Sequence, residues 1–130
     1  MSSDTSKYAL PPNERLRSLG AIKLLFTQGQ SGFIYPFRYI YRKTTPETSS
    51  DAGVEVLFSV PKKFHRRANK RNLLRRRMKE AYRLQKLIID ELAEAHNLDI
   101  ALVYSTKETH TYKIISNAIR KILEHIAQSA

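Results

Sequence analysis

A single segment of 25 residues carries the entire net charge of this 130-residue chain. Between Lys62 and Lys86 stand twelve basic residues: Lys62, Lys63, Arg66, Arg67, Lys70, Arg71, Arg75, Arg76, Arg77, Lys79, Arg83 and Lys86. The only acid among them is Glu80, so the segment alone accounts for the formal charge of +11; the other eleven basic residues are matched by eleven acids. Charges that merely solvate a surface are scattered. Charges concentrated in one window predict a dedicated element for binding a polyanion, nucleic acid first and an anionic membrane a distant second. Because the window has almost no acidic partners, its internal repulsion destabilises the free protein slightly, and a bound polyanion relieves it.

The rest of the sequence has to supply the fold. Hydrophobic residues make up 42% of the chain, enough for a core and too many for a disordered basic tail. The length fits one domain. Residues 1–12 are polar, end in Pro11-Pro12 and read as a flexible lead-in to a single nucleic-acid-binding domain over 13–128. The absence of cysteine excludes a disulfide scaffold, thiolate metal sites and a thiol nucleophile, and it is consistent with a reducing compartment. No apolar run approaches the roughly 18 residues of a membrane span. The first residues, Met1 to Lys7, contain no apolar stretch of the secretory type. The expectation is a soluble cytoplasmic protein with no membrane association.

Periodicity suggests the order α-β-β-α-β-α, an α+β two-layer sandwich. Asn13 can cap a first helix in which Leu16, Leu19, Ile22 and Phe26 form a stripe up to about Gln28, with Gly29 as its stop. Phe33 to Tyr41 alternates as one strand, with Phe37, Tyr39 and Tyr41 on one face and Arg38, Ile40 and Arg42 on the other. Pro36 limits pairing near its start. Lys43 to Gly53 is rich in Thr, Ser, Pro and Gly and reads as an exposed loop. Val54 to Val60 is a second strand ended by Pro61, expected to pair antiparallel with the first across that loop. A long helix, Ala68 to His96, places Leu74, Met78, Ala81, Tyr82, Ile88, Ile89 and Leu92 toward the core. On its flank Arg75, Arg76, Lys79, Arg83 and Lys86 line up as a basic stripe. Asp99 to Tyr104 is a buried strand. Tyr112, Ile115, Ile119, Ile122 and Ile126 mark a closing helix, with Thr109 or Thr111 as its cap.

Guanidinium groups suit phosphate because their forked donors bind two oxygens at once. Aligned on one helix face they can follow a backbone, but they carry little base information. Arg38 and Arg42, interleaved with aromatics, and Phe26 near the first helix end suit single-stranded RNA, whose bases stack. Gly29-Gln-Ser-Gly32 has the spacing of a KH-domain loop but joins a helix to a strand. His65, His96, His110 and His125 lack metal-ligand spacing, and His65 is expected at the surface. Glu14, Glu55, Glu80 and Asp90 form no recognisable acid/base pair. No catalytic residue, metal site or protein-bound cofactor is expected.

The stretch Lys70-Arg-Asn-Leu-Leu-Arg-Arg-Arg77, preceded by Ser59-Val-Pro-Lys-Lys63 and continued by Met78-Lys-Glu-Ala-Tyr-Arg83, resembles the signature of the bacterial ribonuclease P protein family. The resemblance spans about residues 14 to 127 and includes Phe26, Gly29 and the strand start Pro36-Phe37. Leu73 stands where the motif usually has its second Arg, so that contact is absent or passes to Arg77 or Lys70. The Gly usual after the Lys-Lys segment is also missing. The resemblance implies a ribosomal protein S5 domain 2-like fold with a left-handed crossover around the basic helix. It further implies the small subunit of a ribonucleoprotein endonuclease that removes the 5′ leader of precursor tRNA. The RNA subunit, with Mg²⁺ at its active site, would perform the hydrolysis, and no obligate protein partner is expected. Lys62, Lys63, Arg66, Arg67, Lys70, Arg71, Asn72, Arg75, Arg76, Lys79 and Arg83 would contact RNA. Ile22 and Phe26 from the helix, with Arg38 or Ile40 from the strand, would border the cleft for the leader.

Two other readings compete. A ribosomal or ribosome-assembly protein could combine a mixed fold with a basic helix. A DNA-binding regulator would need base readers in its long helix, and only Asn72 qualifies.

Overall fold

A computed structural model describes residues 19–44 and 53–128. These form a four-stranded sheet with helices on both faces. The elements are α1 (Leu19–Gln28), β1 (Gln30–Ile34), β2 (Phe37–Thr44), β3 (Gly53–Ser59), α2 (Ala68–Gln85), a 3-10 turn (Lys86–Ile89), α3 (Asp90–Ala95), β4 (Asn97–Tyr104) and α4 (Tyr112–Gln128). This is the mixed α+β architecture and element order expected, with the first strand resolved into a hairpin. The Asn13 cap, the lead-in and most of the expected loop lie outside the described residues.

The strand order is β1-β2-β4-β3. β2 runs antiparallel to β4, and β3 runs parallel to β4. The expected direct pairing of the strands at 37–41 and 54–60 is therefore incorrect: β4 lies between them. Leu98, Ile100, Ala101, Leu102 and Tyr104 of β4 are all fully buried. A strand apolar on both faces gains most from the centre of a sheet, and that gain outweighs the preference for pairing sequence neighbours. α2 accordingly belongs to the crossover joining two parallel neighbours.

The expected strand from Phe33 to Tyr41 also divides. Tyr35-Pro36, whose peptide bond is cis, forms the tip of a hairpin between β1 and β2. Phe33, Tyr35 and Phe37 keep a period of two through the turn, so alternation alone gave no sign of it.

One sheet face, with Phe37, Tyr39, Tyr41, Val54, Val56, Phe58, Leu98, Ile100, Leu102 and Tyr104, packs under α2, α3 and α4 as the main core. α4 contributes Ile115, Ile119, Ile122 and Ile126 of the predicted stripe, whereas Tyr112 at its first position is exposed. Of its two candidate caps Thr111 serves, accepting the Ile114 N–H at 3.5 Å. The opposite face is covered along its middle by α1, where Leu25 and Ile22 pack on Ile40, Ala101 and Leu57.

The single helix expected from Ala68 to His96 ends at Gln85. The Gln85 amide is held by the carbonyls of Ala81 and Ser116, at 3.1 and 3.0 Å. Leu87-Ile-Ile89 then spreads three apolar side chains around one turn, and they cannot all face the core. The tighter turn sends Ile89 inward at 1% exposure and leaves Leu87 77% exposed.

Gly29 ends α1 for reasons of space. A Cβ there would lie 2.5 Å from the Leu25 carbonyl oxygen and 2.7 Å from Ile40 Cγ2. Gly29→Ala is expected to push α1 off the sheet and destabilise the fold by about 1–3 kcal/mol, read as a lower urea midpoint.

Candidate nucleic-acid interface

α2 is anchored by Leu74, Met78, Ala81 and Tyr82, all fully buried. These positions form one side of the helix, so its flank and outer side carry the charge. Arg76, Lys79 and Asn72 are exposed, while Lys70, Arg71, Arg75 and Arg83 are half-buried. In the segment leading into α2, Lys62, Lys63, Arg66 and Arg67 are exposed. The predicted RNA-contacting residues are thus all exposed or half-buried on the crossover segment and α2.

Several of these cations also hold the structure. Arg71 Nη1 donates to the carbonyls of His65 and Arg66, at 3.1 and 2.7 Å, and so fastens the incoming segment to the helix. Arg75 donates to Asn72 Oδ1 at 2.8 Å. Arg83 pairs with Glu80, the one acid in the window. Arg77 donates to the His110 carbonyl at 2.6 Å and ties α2 to the segment before α4.

His65 is not at the surface as expected. It is 6% exposed, with Nε2 2.8 Å from the Thr106 carbonyl and its ring 5.5 Å from that of Tyr104. Burial between two chain segments makes it the inner anchor of the basic loop, whose cations point outward. A single His amid lysines and arginines carries no periodic signal, so the sequence could not reveal this.

The second predicted surface lies on the α1 side of the sheet. Cross-strand partners share a face, so Phe33, Arg38, Val103 and Ser59 form one row across the four strands. Ile40, Ala101 and Leu57 form the next row, under α1. Arg38 is exposed, Phe26 is 48% exposed and Ile22 is half-buried. Ile40 is only 3% exposed; it supports α1 and can be no more than the floor of a cleft. Phe33, 57% exposed beside Arg38, is an aromatic at this surface that sequence reasoning did not select. The hairpin register places it there.

The third row, beyond α1, holds Arg42, Asp99 and Glu55. Burial raises the Asp99 carboxyl, and Arg42 opposes the shift. Burial also raises Glu55, and the neighbouring Asp99 adds to it. The α1 side of the sheet is therefore cationic and aromatic on one side of the helix and carboxylate-bearing on the other.

The ribonuclease P family model matches residues 10–127 of the chain. The chain belongs to the ribonuclease P protein family. It is 31% identical over 122 residues to a ribonuclease P protein component of Porphyromonas gingivalis, covering 92% of this chain and 88% of that one. It is 41% identical over 93 residues to that of Chlorobaculum tepidum, covering 68% and 58% of the respective chains. The fold is shared with the solved RNase P proteins of Staphylococcus aureus (TM-score 0.68, 18% identity, 87% of this chain and 94% of that one) and Thermotoga maritima (TM-score 0.68, 24% identity, 86% and 96%). Membership makes the chain the protein part of an endoribonuclease of tRNA processing that associates with the RNase P RNA subunit. It sets aside the ribosomal and DNA-regulator readings. No helix among the described residues is long and apolar enough to cross a membrane.

Arg71→Ala is expected to lower stability by about 1–3 kcal/mol, because it leaves two carbonyls without their donor. Arg76→Ala, on the exposed side, should stay within about 0.5 kcal/mol of the parent protein; urea titration of both variants separates an anchoring cation from a displayed one. For the carboxylates, the raised folded-state pKa means that the folded protein holds its protons more tightly than the unfolded chain. Their contribution is thus most favourable at low pH and is lost as pH rises through the carboxylate range. Glu55→Gln should accordingly raise the urea midpoint more at pH 7 than at pH 4, two conditions chosen to bracket roughly that range.

Proposed function

We propose that this chain is the protein subunit of the ribonucleoprotein that removes the 5′ leader from precursor tRNA. In this reading it works in the cytoplasm as one RNA-binding domain over residues 13–128. The observation that carries it is the displayed basic surface from Lys62 to Arg83, mounted on a helix fixed in the core. Lys62, Lys63, Arg66, Arg67, Lys70, Asn72, Arg75, Arg76, Lys79 and Arg83 meet the phosphates of the RNA subunit, and Arg71 shapes the segment that presents them. With Arg77 already bonded to the His110 carbonyl, Lys70 is the better placed to stand in for the motif Arg that Leu73 replaces.

The leader lies on the α1 side, over the row of Phe33 and Arg38 and beside Phe26. Exposed rings there offer stacking surfaces, and Arg38 offers charge to the backbone. The RNA subunit, with its Mg²⁺, carries out the hydrolysis. The protein's cations offset phosphate repulsion as the two RNAs come together, so less Mg²⁺ is needed.

Reconstitution with a cognate RNA subunit tests this reading. The complex should cleave precursor tRNA at a lower Mg²⁺ concentration than the RNA alone, and the RNA-free protein should cleave nothing. In the combined Arg75→Ala, Arg76→Ala, Lys79→Ala variant, the salt dependence of RNA-subunit binding should fall by up to about three units, about one per lost phosphate contact. An unchanged affinity and slope would remove the assignment of this surface.

A further inference from the structure

The basic character of α2 stops where the helix stops. Lys86 is the last cation of the window, and α3 carries Asp90, Glu91 and Glu94 with no base among its six residues. The three carboxylates make no ion pair among the described residues. On the same helix as the exposed Asp90 and Glu94, Glu91 lines an open groove of about 500 Å³ with Leu87, Ile88, Leu92, Ala95, His96 and Ala127. It runs between the 3-10 turn with α3 and the C-terminal end of α4. At its mouth Leu87 is 77% exposed, and Leu84, three residues earlier, is 54% exposed.

This chemistry is wrong for RNA. Aliphatic side chains offer bases no stacking face, and carboxylates repel phosphate. It also leaves apolar area of Leu84 and Leu87 in water, which a partner would cover. An apolar floor with an acidic rim suits a helix that is apolar on one side and cationic on its flanks.

We propose that this groove docks a positively charged amphipathic helix from a protein partner. The apolar side of that helix covers Leu87, Leu92 and Ala95, and its lysines or arginines meet Asp90, Glu91 and Glu94. The net charge of +11 opposes any cationic partner at long range. At physiological salt that repulsion is screened beyond about 8 Å, so the local rim governs the encounter. The proposal does not depend on where RNA binds.

The test uses the full chain without RNA and a fluorescent lysine–leucine model helix, with an uncharged glutamine–leucine helix of the same pattern as control. The lysine–leucine helix should bind and the control should not. Leu87→Asp should weaken binding about tenfold or more. The change is at a largely exposed position outside the RNA-facing surfaces, so cleavage by the reconstituted enzyme should be unaffected. The double variant Glu91→Lys, Glu94→Lys should weaken binding to a similar degree, and a thermal melt of each variant verifies folding. No binding, equal binding by both helices, or full affinity in both folded variants would overturn the proposal. Loss of short single-stranded RNA binding in the folded Leu87→Asp variant would assign the groove to RNA and overturn it. So would concentration-dependent dimerisation abolished by Leu87→Asp, because the occupant would then be a second copy of this chain.

Discussion

Everything functional here depends on a helix that has to hold like charges together. Arg71, Arg75, Lys79 and Arg83 recur every four residues and form a row of three like-charged neighbouring pairs. Each such pair costs a few tenths of a kcal/mol, so the row disfavours the helix by about 1 kcal/mol. Burial of Leu74, Met78 and Tyr82 stabilises the helix by about 1.5–3 kcal/mol per side chain, which decides the balance. Local bonds soften the repulsion further: Arg71 is drawn to two carbonyls, Arg75 to Asn72, and Arg83 to Glu80. The core is therefore what allows the charge to be displayed. A mobile tail with the same residues would have to be ordered on each binding event, at an entropic cost that this helix has already met on folding.

The legible parts of the sequence were those in which one face repeats. The stripes of α2 and α4 and the alternation of Phe37, Tyr39 and Tyr41 each record which side of an element meets the core, and the structure follows them. The position of β4 was less legible. Its run of Leu98, Ile100, Ala101, Leu102 and Tyr104 did indicate burial on both faces, but proximity along the chain favoured pairing β2 with β3 instead. The break after Gln85 was hidden for a different reason. A period of 3.6 residues assigns Ile88 and Ile89 to the core and says nothing about Leu87, which had to go outward.

For the candidate site, composition and motif located the cations but could not rank them. Arg71 and Arg76 look alike in the sequence. One fastens the crossover segment and the other faces solvent, a difference set by where the carbonyls of His65 and Arg66 fall. Phe33 shows the same limit on the other surface. Only the hairpin register places it beside Arg38, and that register depends on where the chain turns. Side chains acquire roles from neighbours distant in sequence, and periodicity is blind to those neighbours.

The charge map is consequently less simple than one basic element on a neutral domain. The residues outside the Lys62–Lys86 window sum to zero, yet they are segregated. Arg38 lies on one side of α1, while Asp99 and Glu55, with Arg42 in their row, lie on the other. Asp90, Glu91 and Glu94 are gathered on α3, just beyond the last cation of the window. Carboxylates set next to an RNA-binding surface limit where a phosphate backbone can run, because each excludes phosphate locally. The acidic groups therefore bound the cationic surfaces that the proposed function assigns to RNA, and the exposed leucines lie beyond them.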